Sequence, residues 1–253
     1  MTETIPTAAV LVIGNEILSG RTLDTNTNAV ARFLAALGID LEETRTVGDV
    51  EGEIVAALNA LRARYTYVFT TGGIGPTHDD ITADAVAKAF GVAIDYRPDA
   101  MALLAARYAK PGELNDRRKR MARIPAGASL IENTVSGAPG FQIGNVFVMA
   151  GVPTIVAAML AAIAPRLARA PVVRSVAVAA NIPEGLVAAP LAALQAAHPE
   201  VAIGSYPHFH ADGSHSVELV ARSRDEKALA EVGMALESLF RAVGAEPQRR
   251  APA

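Results

Sequence analysis

The chain alternates short apolar runs with segments in which apolar residues recur every three or four positions. Residues 8–13 are apolar without interruption, as is typical of a parallel strand that is covered on both faces. Further along the chain, apolar residues recur with helical spacing at Val30, Phe33, Leu34 and Leu37. This alternation predicts strands joined by helices, which is the pattern of a largely parallel sheet with helices on both faces.

The same alternation continues to about residue 170. Strands are predicted at residues 8–13, 39–47, 65–71, 129–131, 141–143 and 145–149. Helices are predicted at residues 30–37, 54–61, 82–90, 96–121 and 153–169. The pair Ala170-Pro171 is the predicted boundary, so residues 1–170 are expected to form a three-layer α/β/α domain around a mostly parallel sheet.

Residues 171–253 predict a second, smaller α+β domain. Its strands are predicted at residues 172–180, 201–206 and 216–221, with helices at 184–197 and 225–243 and a polar tail after them. A unit of roughly eighty residues is near the lower size for independent folding. We therefore expect it to dock on the first domain.

Composition narrows the class of protein. Of the 253 residues, 51% are hydrophobic and 19% are charged, as in folded globular proteins. The formal net charge of −3 argues against a general nucleic-acid-binding protein, which would neutralise phosphates with a basic surface. The absence of cysteine excludes disulfides, thiolate zinc sites and cysteine nucleophiles. A cytoplasmic location and no nucleic-acid partner are expected.

No segment is predicted to target or cross a membrane. The apolar run at residues 8–13 is too short for the core of a signal peptide. A longer uncharged stretch extends over residues 133–165, but Gly140, Gly144, Gly151 and Pro153 interrupt it. We interpret it as buried core, since a membrane-spanning helix needs about 20 consecutive apolar residues.

Three glycine-containing turns follow predicted strands. They are Gly14-Asn-Glu-Ile-Leu-Ser-Gly20, Gly72-Gly-Ile-Gly75 and Gly151-Val-Pro153. Glycines let peptide N–H groups approach a phosphate, and a following helix adds the positive end of its dipole. Each turn alone is also compatible with a plain strand-to-helix connection. Three at the carboxyl edge of one sheet favour a binding site, because ligands of open α/β sheets bind there.

Two acids, Asp79 and Asp80, lie four and five residues after the last glycine of the second turn. Paired carboxylates would repel a phosphate unless a divalent cation lay between them, so Mg²⁺ or another divalent cation is expected at Asp79 and Asp80. Both acids could instead stabilise the start of the following helix. Asp49 could likewise be a plain helix N-cap, and Asp24, Asn26 and Asn28 adjoin an amphipathic helix that they could cap.

Two further polar groups have simple explanations. His208, His210 and His215 fall in a predicted loop between two strands, and no other spacing supports a closed set of metal ligands. Solvated loop histidines are therefore favoured over a transition-metal site. The basic run at residues 117–120 is interpreted as a solvated helix face in preference to a phosphate clamp.

Four motifs occur together in this chain. They are Gly-Asn-Glu-Ile-Leu-Ser-Gly at 14–20, Thr-Gly-Gly-Ile-Gly-Pro-Thr-His-Asp-Asp at 71–80, Gly-Ala-Pro-Gly-Phe at 137–141 and Gly-Val-Pro at 151–153. This combination resembles the molybdopterin-binding (MoaB/Mog-type) domain family, and most closely the version in the competence/damage-inducible CinA proteins. Residues 119–128 also resemble a CinA pattern. The likeness covers residues 8–170 and extends into the second domain at Ser205-Tyr206-Pro207.

The resemblance implies roles for individual residues. Those implied to hold the phosphate of a pterin or nucleotide are Gly72, Gly73 and Gly75. Those implied to be catalytic, by holding Mg²⁺ or orienting the attacking water, are Asp49, Asp79 and Asp80. Lys119 would neutralise charge on the leaving phosphate. The other residues implied to line the ligand are Gly14, Asn15, Glu16, Asp24, Asn28, Thr71, Thr77, Gly137, Pro139, Gly151 and Pro153.

Two classes of reaction follow from the resemblance. Relatives either adenylate molybdopterin or, in CinA and the matching half of eukaryotic FAD synthase, hydrolyse a pyrophosphate bond in compounds such as ADP-ribose or FAD. We expect a divalent-metal-dependent nucleotide pyrophosphatase that takes a small phosphorylated ligand. The alternatives are a molybdopterin adenylyltransferase of molybdenum cofactor biosynthesis and a non-catalytic module that binds a pterin or nucleotide. Because relatives form dimers or trimers, a homo-oligomer is also expected.

Overall fold

The structure, a computed structural model, describes residues 4–210 and 212–250. These residues divide into two compact units, one ending at Ala170 and the other beginning at Pro171. The division falls between the two residues at which the sequence predicts a boundary. Residues 1–3, 211 and 251–253, which the predicted domains include, lie outside the described residues.

The first unit contains a succession of strands and helices that agrees with the predicted alternation. Its strands are β1 (Thr7–Ile13), β2 (Asp40–Val47), β3 (Tyr67–Thr71), β4 (Ile94–Tyr96), β5 (Arg123–Pro125), β6 (Ser129–Ile131), β7 (Gly140–Ile143) and β8 (Val146–Met149). Its α-helices are α1 (Asn15–Leu18), α2 (Asn26–Ala36), α3 (Glu51–Arg64), α4 (Thr82–Phe90), α5 (Pro98–Arg107), α6 (Asp116–Lys119) and α7 (Pro153–Ile163). A 3₁₀ turn follows α6 at Arg120–Ala122, and another follows α7 at Ala164–Arg166.

Six of these strands form one sheet in the order β2-β1-β3-β8-β7-β6. Strands β2, β1, β3 and β8 run parallel, with Val10 of β1 opposite Thr44 of β2 and Phe69 of β3. Strand β7 is antiparallel to both β8 and β6. The chain goes from β1 to β2 on one side and returns to β3 on the other, so the strand order reverses at β1. A crevice opens at such a point, beyond the carboxyl ends of the strands.

Helices cover both faces of the sheet. On one face α2 and α7 pack against the sheet through Val30, Leu34, Val156, Met159 and Ile163. On the other face α3, α4 and α5 do so through Ile54, Leu58, Val86, Ala100 and Leu104. Side chains of β1 alternate between the two cores from residue 8 to residue 13, which explains why these six positions are all apolar. The predicted three-layer α/β/α class is confirmed.

The continuous helix predicted at residues 96–121 is wrong. Helix α5 ends at Arg107, and Gly112 adopts a left-handed conformation with φ of 80°. The chain becomes helical again only at α6, where the Asn115 side chain accepts a hydrogen bond from the Arg118 N–H at 3.0 Å. Proline and glycine at 111–112 interrupt the helical hydrogen bonding.

The second unit is a four-stranded antiparallel sheet with two α-helices. Its elements are β9 (Arg174–Ala180), α8 (Ala188–Ala197), β10 (Ala202–Phe209), β11 (His215–Ser223), α9 (Glu226–Ala242) and β12 (Gln248–Arg250). The strand order is β10-β11-β9-β12. Its core includes Val178, Leu219, Val232, Leu236 and Phe240. Strand β12 lies in the predicted polar tail, because it pairs with β9 through its backbone while its side chains stay exposed.

The uncharged stretch at residues 133–165 folds into buried strands and a helix of the first unit. All four residues of β8 are buried, and α7 has only 11 residues. In the part of the chain that the structure describes, no helix has the length and apolar character needed to span a bilayer.

Candidate functional site

The three predicted glycine turns lie next to one another at the carboxyl edge of the large sheet. The Gly72 N–H donates a hydrogen bond to the Met149 carbonyl at 3.2 Å. A Cβ added to Gly72 would lie 2.1 Å from the Ile13 carbonyl oxygen, and one added to Gly151 would lie 3.4 Å from Gly72 Cα. The turns that follow β1, β3 and β8 are therefore in direct backbone contact.

The turn after β3 requires glycine at its first two positions. Gly72 and Gly73 have φ angles of 103° and 70°, in the left-handed region that side chains disfavour. A Cβ on Gly73 would lie 2.1 Å from Thr82 Oγ1. Thr82, the first residue of α4, donates its hydroxyl to the Gly72 carbonyl and its N–H to the Gly73 carbonyl, both at 3.0 Å. The first residue of helix α4 thus binds the carbonyl groups of the turn.

The N–H groups of the same turn are left open. Those of Gly73, Ile74 and Gly75 have no hydrogen-bond acceptor among residues 4–210 and 212–250. Consecutive N–H groups in a turn with left-handed residues form a concavity that binds anions. We call these three N–H groups the amide cradle. Their position fits the phosphate-binding role predicted for the glycines.

The two acids share one hydroxyl group after the cradle. Thr77 Oγ1 lies 2.5 Å from Asp79 Oδ1 and 2.5 Å from Asp80 Oδ2, and the Thr77 N–H donates to Asp80 Oδ2 at 2.7 Å. Helix α4 begins only at Thr82, and no side chain caps it. Neither acid therefore caps that helix by a hydrogen bond, and the alternative in which they stabilise its dipole stays a prediction. Their carboxylates organise the turn of residues 77–80, called here the Thr77 turn.

The electrostatics of the Thr77 turn favour the ionised form of Asp79. The hydrogen bond from the Thr77 hydroxyl lowers the pKa of Asp79 below its ordinary value, and the backbone N–H of Asp79 adds to this effect. His78 Nδ1 lies 3.8 Å from the same carboxylate, which is 58% exposed. Asp80 is held close to the cradle, because a Cβ on Gly75 would lie 2.7 Å from Asp80 Oδ2.

The oxygen atoms of the Thr77 turn fit a divalent cation with few protein ligands. In the described ranges no group of three or more His, Cys, Asp or Glu residues is placed to hold a metal. Mg²⁺ needs only one or two carboxylates, because water and substrate phosphates complete its coordination. The residues that could hold such a cation are Asp79, Asp80 and the Thr77 hydroxyl.

The third predicted catalytic acid, Asp49, has a different set of contacts. Its Oδ2 accepts the Asn15 N–H at 2.9 Å, just after β1. The N-cap of α3 is Val50, so the alternative of Asp49 as N-cap is wrong. The Gly14 N–H donates to the Val47 carbonyl at 3.1 Å. The loop after β1 is therefore bonded to the end of β2, and the catalytic role of Asp49 stays a prediction.

A small cleft of about 60 Å³ lies between the ends of β1 and β3. The predicted residues that line it are Glu16, Asp24, Thr71, Gly72, Gly151 and Pro153. Asp24 Oδ1 accepts the N–H groups of Asn26 at 2.9 Å and Thr27 at 3.2 Å. This geometry fits the capping alternative for Asp24, since it satisfies free N–H groups of α2.

Asn26 also lines this cleft, although the sequence predicts for it only a capping role. Its Nδ2 donates to the Gly151 carbonyl at 2.7 Å, and the residue is only 8% exposed. The predicted ligand Asn28 is exposed on α2. A signal was present, because Asn26 precedes the buried Val30 and Leu34 at a spacing of four. A polar residue on the buried face of a helix indicates a specific partner.

The basic residues of α6 and the turn after it divide into two groups. Lys119 Nζ donates to Asp116 Oδ1 at 2.9 Å, and this bond raises the pKa of Lys119. Arg117 and Arg120 instead line an outer cleft of about 300 Å³ together with Pro76, Thr77 and His78. Arg120 also lines an inner cleft of about 20 Å³, whose other residues include Gly73, Gly75, Asp80 and Pro139. The predicted role of Lys119 on a leaving phosphate stays a prediction.

The two predicted residues of the 137–141 motif lie in different surroundings. Pro139 lines the inner cleft. Gly137 has φ of 77°, and a Cβ there would lie 2.9 Å from Arg107 Cβ. The buried Asn133 organises this loop, since its side-chain oxygen Oδ1 accepts the N–H groups of residues 135 and 136 at 3.0 and 3.2 Å. Gly137 therefore shapes the loop at α5.

The three histidines belong to a hairpin of the second unit. The prediction of a loop is wrong for His208, which lies within β10, and for His215, which begins β11. His210 is in the connection, with Nε2 2.9 Å from Ser216 Oγ. The strands extend beyond the predicted ends because backbone pairing continues to Phe209 and His215.

Family models match both units. One described as "Probable molybdopterin binding domain" matches residues 9–169, and one described as "FAD synthase, middle domain" matches residues 172–248.

Relatives and a solved structure agree with these matches. A protein of Aeropyrum pernix is 34% identical over 254 residues, which cover 95% of each chain. A protein of Sulfolobus acidocaldarius is 38% identical over 138 residues, which cover 54% of this chain and 52% of that protein. The crystal structure of the protein CinA from Thermoplasma acidophilum, described as of unknown function, is 34% identical with a TM-score of 0.60. It corresponds to 64% of this chain and 98% of its own.

Proposed function

The chain belongs to the molybdopterin-binding domain family and is CinA-like within it, and from this premise we propose that it hydrolyses the pyrophosphate bond of a nucleotide. ADP-ribose and FAD are the proposed substrate types, and a divalent cation is the proposed cofactor. The match of the second unit to the middle domain of FAD synthase supports a function linked to nucleotides.

One observation carries the proposal: the amide cradle lies beside two carboxylates that share the Thr77 hydroxyl. N–H groups without acceptors stabilise negative charge that develops on phosphate oxygens. Carboxylates next to such a cradle would oppose phosphate binding by repulsion. A divalent cation bound at Asp79 and Asp80 supplies the charge neutralisation that lets both groups serve one ligand.

The residues of the site suit hydrolysis by direct attack of water. Asp80 lies against Gly75, where its carboxylate can orient a water molecule and accept its proton. The water oxygen forms a bond to one phosphorus, and the bond from that phosphorus to the bridging oxygen breaks. The bridging oxygen leaves with the second phosphate. The N–H groups of Gly73, Ile74 and Gly75 hold the phosphate in line for this displacement.

A substrate panel tests this proposal. Purified protein is incubated with Mg²⁺ and ADP-ribose, FAD, NAD or ATP, and the products are identified by mass spectrometry. We expect AMP and ribose phosphate from ADP-ribose, or AMP and FMN from FAD. Asp80→Asn should lower turnover by about 100-fold or more, the usual range for loss of an acid–base group. Asp95→Asn is the control, since Asp95 is exposed on β4.

Other outcomes would replace the proposal. Unchanged turnover in Asp80→Asn would exclude the assigned role of the acids. Release of pyrophosphate from ATP only when molybdopterin is supplied would identify an adenylyltransferase. Retention of a nucleotide or pterin with no turnover of any compound would identify a binding module.

A further inference from the structure

Arg117 and Arg120 differ from the two basic residues between them because neither of their side chains has a partner among the described residues. Lys119 is bonded to Asp116, and Arg118 donates to the Glu113 carbonyl at 2.6 Å. The side chain of Arg120 has no hydrogen-bond or ion-pair partner in the part of the chain that the structure describes, and it is half-buried whereas Arg117 is exposed. An unpaired guanidinium in a partly buried position is free to bind an anion.

Arg120 also borders both clefts beside the Thr77 turn. The inner cleft contains the glycines of the amide cradle, and the outer cleft contains Thr77, His78 and Arg117. Arg120 therefore lies where a ligand would pass from the cradle into the outer cleft. Arg123, which also lines the inner cleft, is neutralised by a bidentate pair with Asp84 at 2.8 and 2.7 Å.

The two clefts differ in volume, so they can hold parts of a ligand that differ in size. The inner cleft of about 20 Å³ has room for about one water-sized group, such as a single oxygen atom of a phosphate that lies on the cradle. The outer cleft of about 300 Å³ has room for a phosphate and part of the group attached to it. Arg120 and Arg117 both line the outer cleft, and a planar guanidinium binds phosphate oxygens in a bidentate manner.

We propose that Arg120 binds the second phosphate of a diphosphate ligand whose first phosphate lies on the amide cradle. Arg120 is then the residue that makes the site prefer diphosphates to monophosphates. Lys119, one residue earlier, does not take this role because its ammonium is bonded to Asp116. The proposal rests on the same site as the proposed function but concerns binding only.

Binding measurements without turnover test the proposal. Calorimetric titrations with Mg²⁺ compare AMP with the methylene analogue of ADP, in which a carbon replaces the bridging oxygen so that hydrolysis cannot occur. The wild-type protein should bind the analogue more tightly than AMP. Arg120→Ala should weaken the analogue by about 10- to 100-fold, the effect of one hydrogen-bonded charge. Its effect on AMP should stay below about threefold on the same basis.

Two further variants serve as controls. Arg120→Lys keeps the charge but not the bidentate geometry, so it should restore only part of the preference. Arg32→Ala removes one charge from an exposed position of α2, and it should leave the affinity for both nucleotides at the wild-type values. Circular dichroism of each variant confirms that the fold is retained.

The outcomes separate this proposal from the proposed function. Loss of the diphosphate preference in Arg120→Ala supports the role of Arg120 even when the substrate panel shows no hydrolysis. Equal weakening of AMP and the analogue, no change in either, or no binding of either nucleotide to the wild-type protein would overturn it. Persisting hydrolysis in the substrate panel would then leave the proposed function intact.

Discussion

Two neighbouring glycine loops of the first unit look alike in sequence but differ in their hydrogen bonding. In the loop after β1, the N–H groups of Gly14 and Asn15 donate to Val47 and Asp49. In the loop after β3, the N–H groups of the amide cradle have no acceptor in the described ranges. Both loops follow a buried parallel strand and both contain an acid or two nearby.

The difference shows that glycine content alone does not identify an anion site. In the β1 loop the Asp49 carboxylate accepts the Asn15 N–H, so this N–H is not available to a phosphate. In the β3 loop Thr77 binds the acids and leaves the N–H groups of the cradle open. What matters is which acceptors the folded chain brings to each loop.

The largest expected effect separates the glycines of the two loops. Gly72→Ala places a Cβ 2.1 Å from the Ile13 carbonyl at φ of 103°, so it should lower the free energy of unfolding by about 2 kcal/mol or more through strain and overpacking. In Gly14→Ala the new Cβ contacts only the Glu16 carboxylate, which can move away. This variant should change the free energy of unfolding by less than about 1 kcal/mol. Urea unfolding followed by circular dichroism measures both. Equal losses would contradict the comparison.

A medium effect is expected where α2 meets the loop after β8. Asn26→Ala removes the hydrogen bond to the Gly151 carbonyl and should cost about 1–2 kcal/mol, because a bond made by a buried side chain is lost. Asn28→Ala is the matched control on the exposed side of the same helix, with an expected change within about 0.5 kcal/mol. The same unfolding measurement applies, and equal stabilities of the two variants would show that the Asn26 bond contributes nothing.

The smallest expected effect concerns the ionisation of Asp79. Because its pKa is lowered in the folded protein, the bond from Thr77 stabilises the fold fully above the ordinary pKa of an unfolded aspartate. That contribution is lost as the pH falls through the lowered pKa. Thr77→Val removes the hydroxyl, so the titration of Asp79 should move to higher pH.

Carbon NMR of the aspartate carboxyl groups measures this titration directly. Asp212 is an internal reference, since the hydrogen bond from Ser214 lowers its pKa in the second unit. Its titration should not change in Thr77→Val. An Asp79 midpoint equal to that of the wild type would show that Thr77 does not control this carboxylate.

Local patterns predict the fold class and the position of the site. The side chains of β1 pack into both cores. In an α/β protein such a continuous apolar run indicates a parallel strand that is covered on both faces. Left-handed turns after strands require glycine, so Gly72 and Gly73 mark the loop after β3 without any tertiary information. The motif at residues 71–80 contains both this loop and the acids Asp79 and Asp80, and it resembles the molybdopterin-binding domain family.

Side-chain direction is harder to predict from sequence. Lys119 and Arg120 are neighbours, but successive residues of a helical segment point about 100° apart. One is therefore bonded to Asp116 while the other borders both clefts. The family resemblance implies Lys119 as the phosphate ligand, whereas we propose Arg120 because its side chain has no partner among the described residues. Strand β12 was missed for a related reason, because backbone pairing at a sheet edge needs no apolar pattern.

By itself, the sequence determined the α/β class, the succession of strands and helices and the glycine turns at one sheet edge. Each depends on residues that are close together along the chain. Tertiary structure alone decided which polar groups are satisfied, since Asn15 and Asp49 are 34 positions apart and Asn26 and Gly151 are 125 apart. A loop becomes an anion site only when no distant acceptor reaches its N–H groups, and that depends on how the whole unit folds.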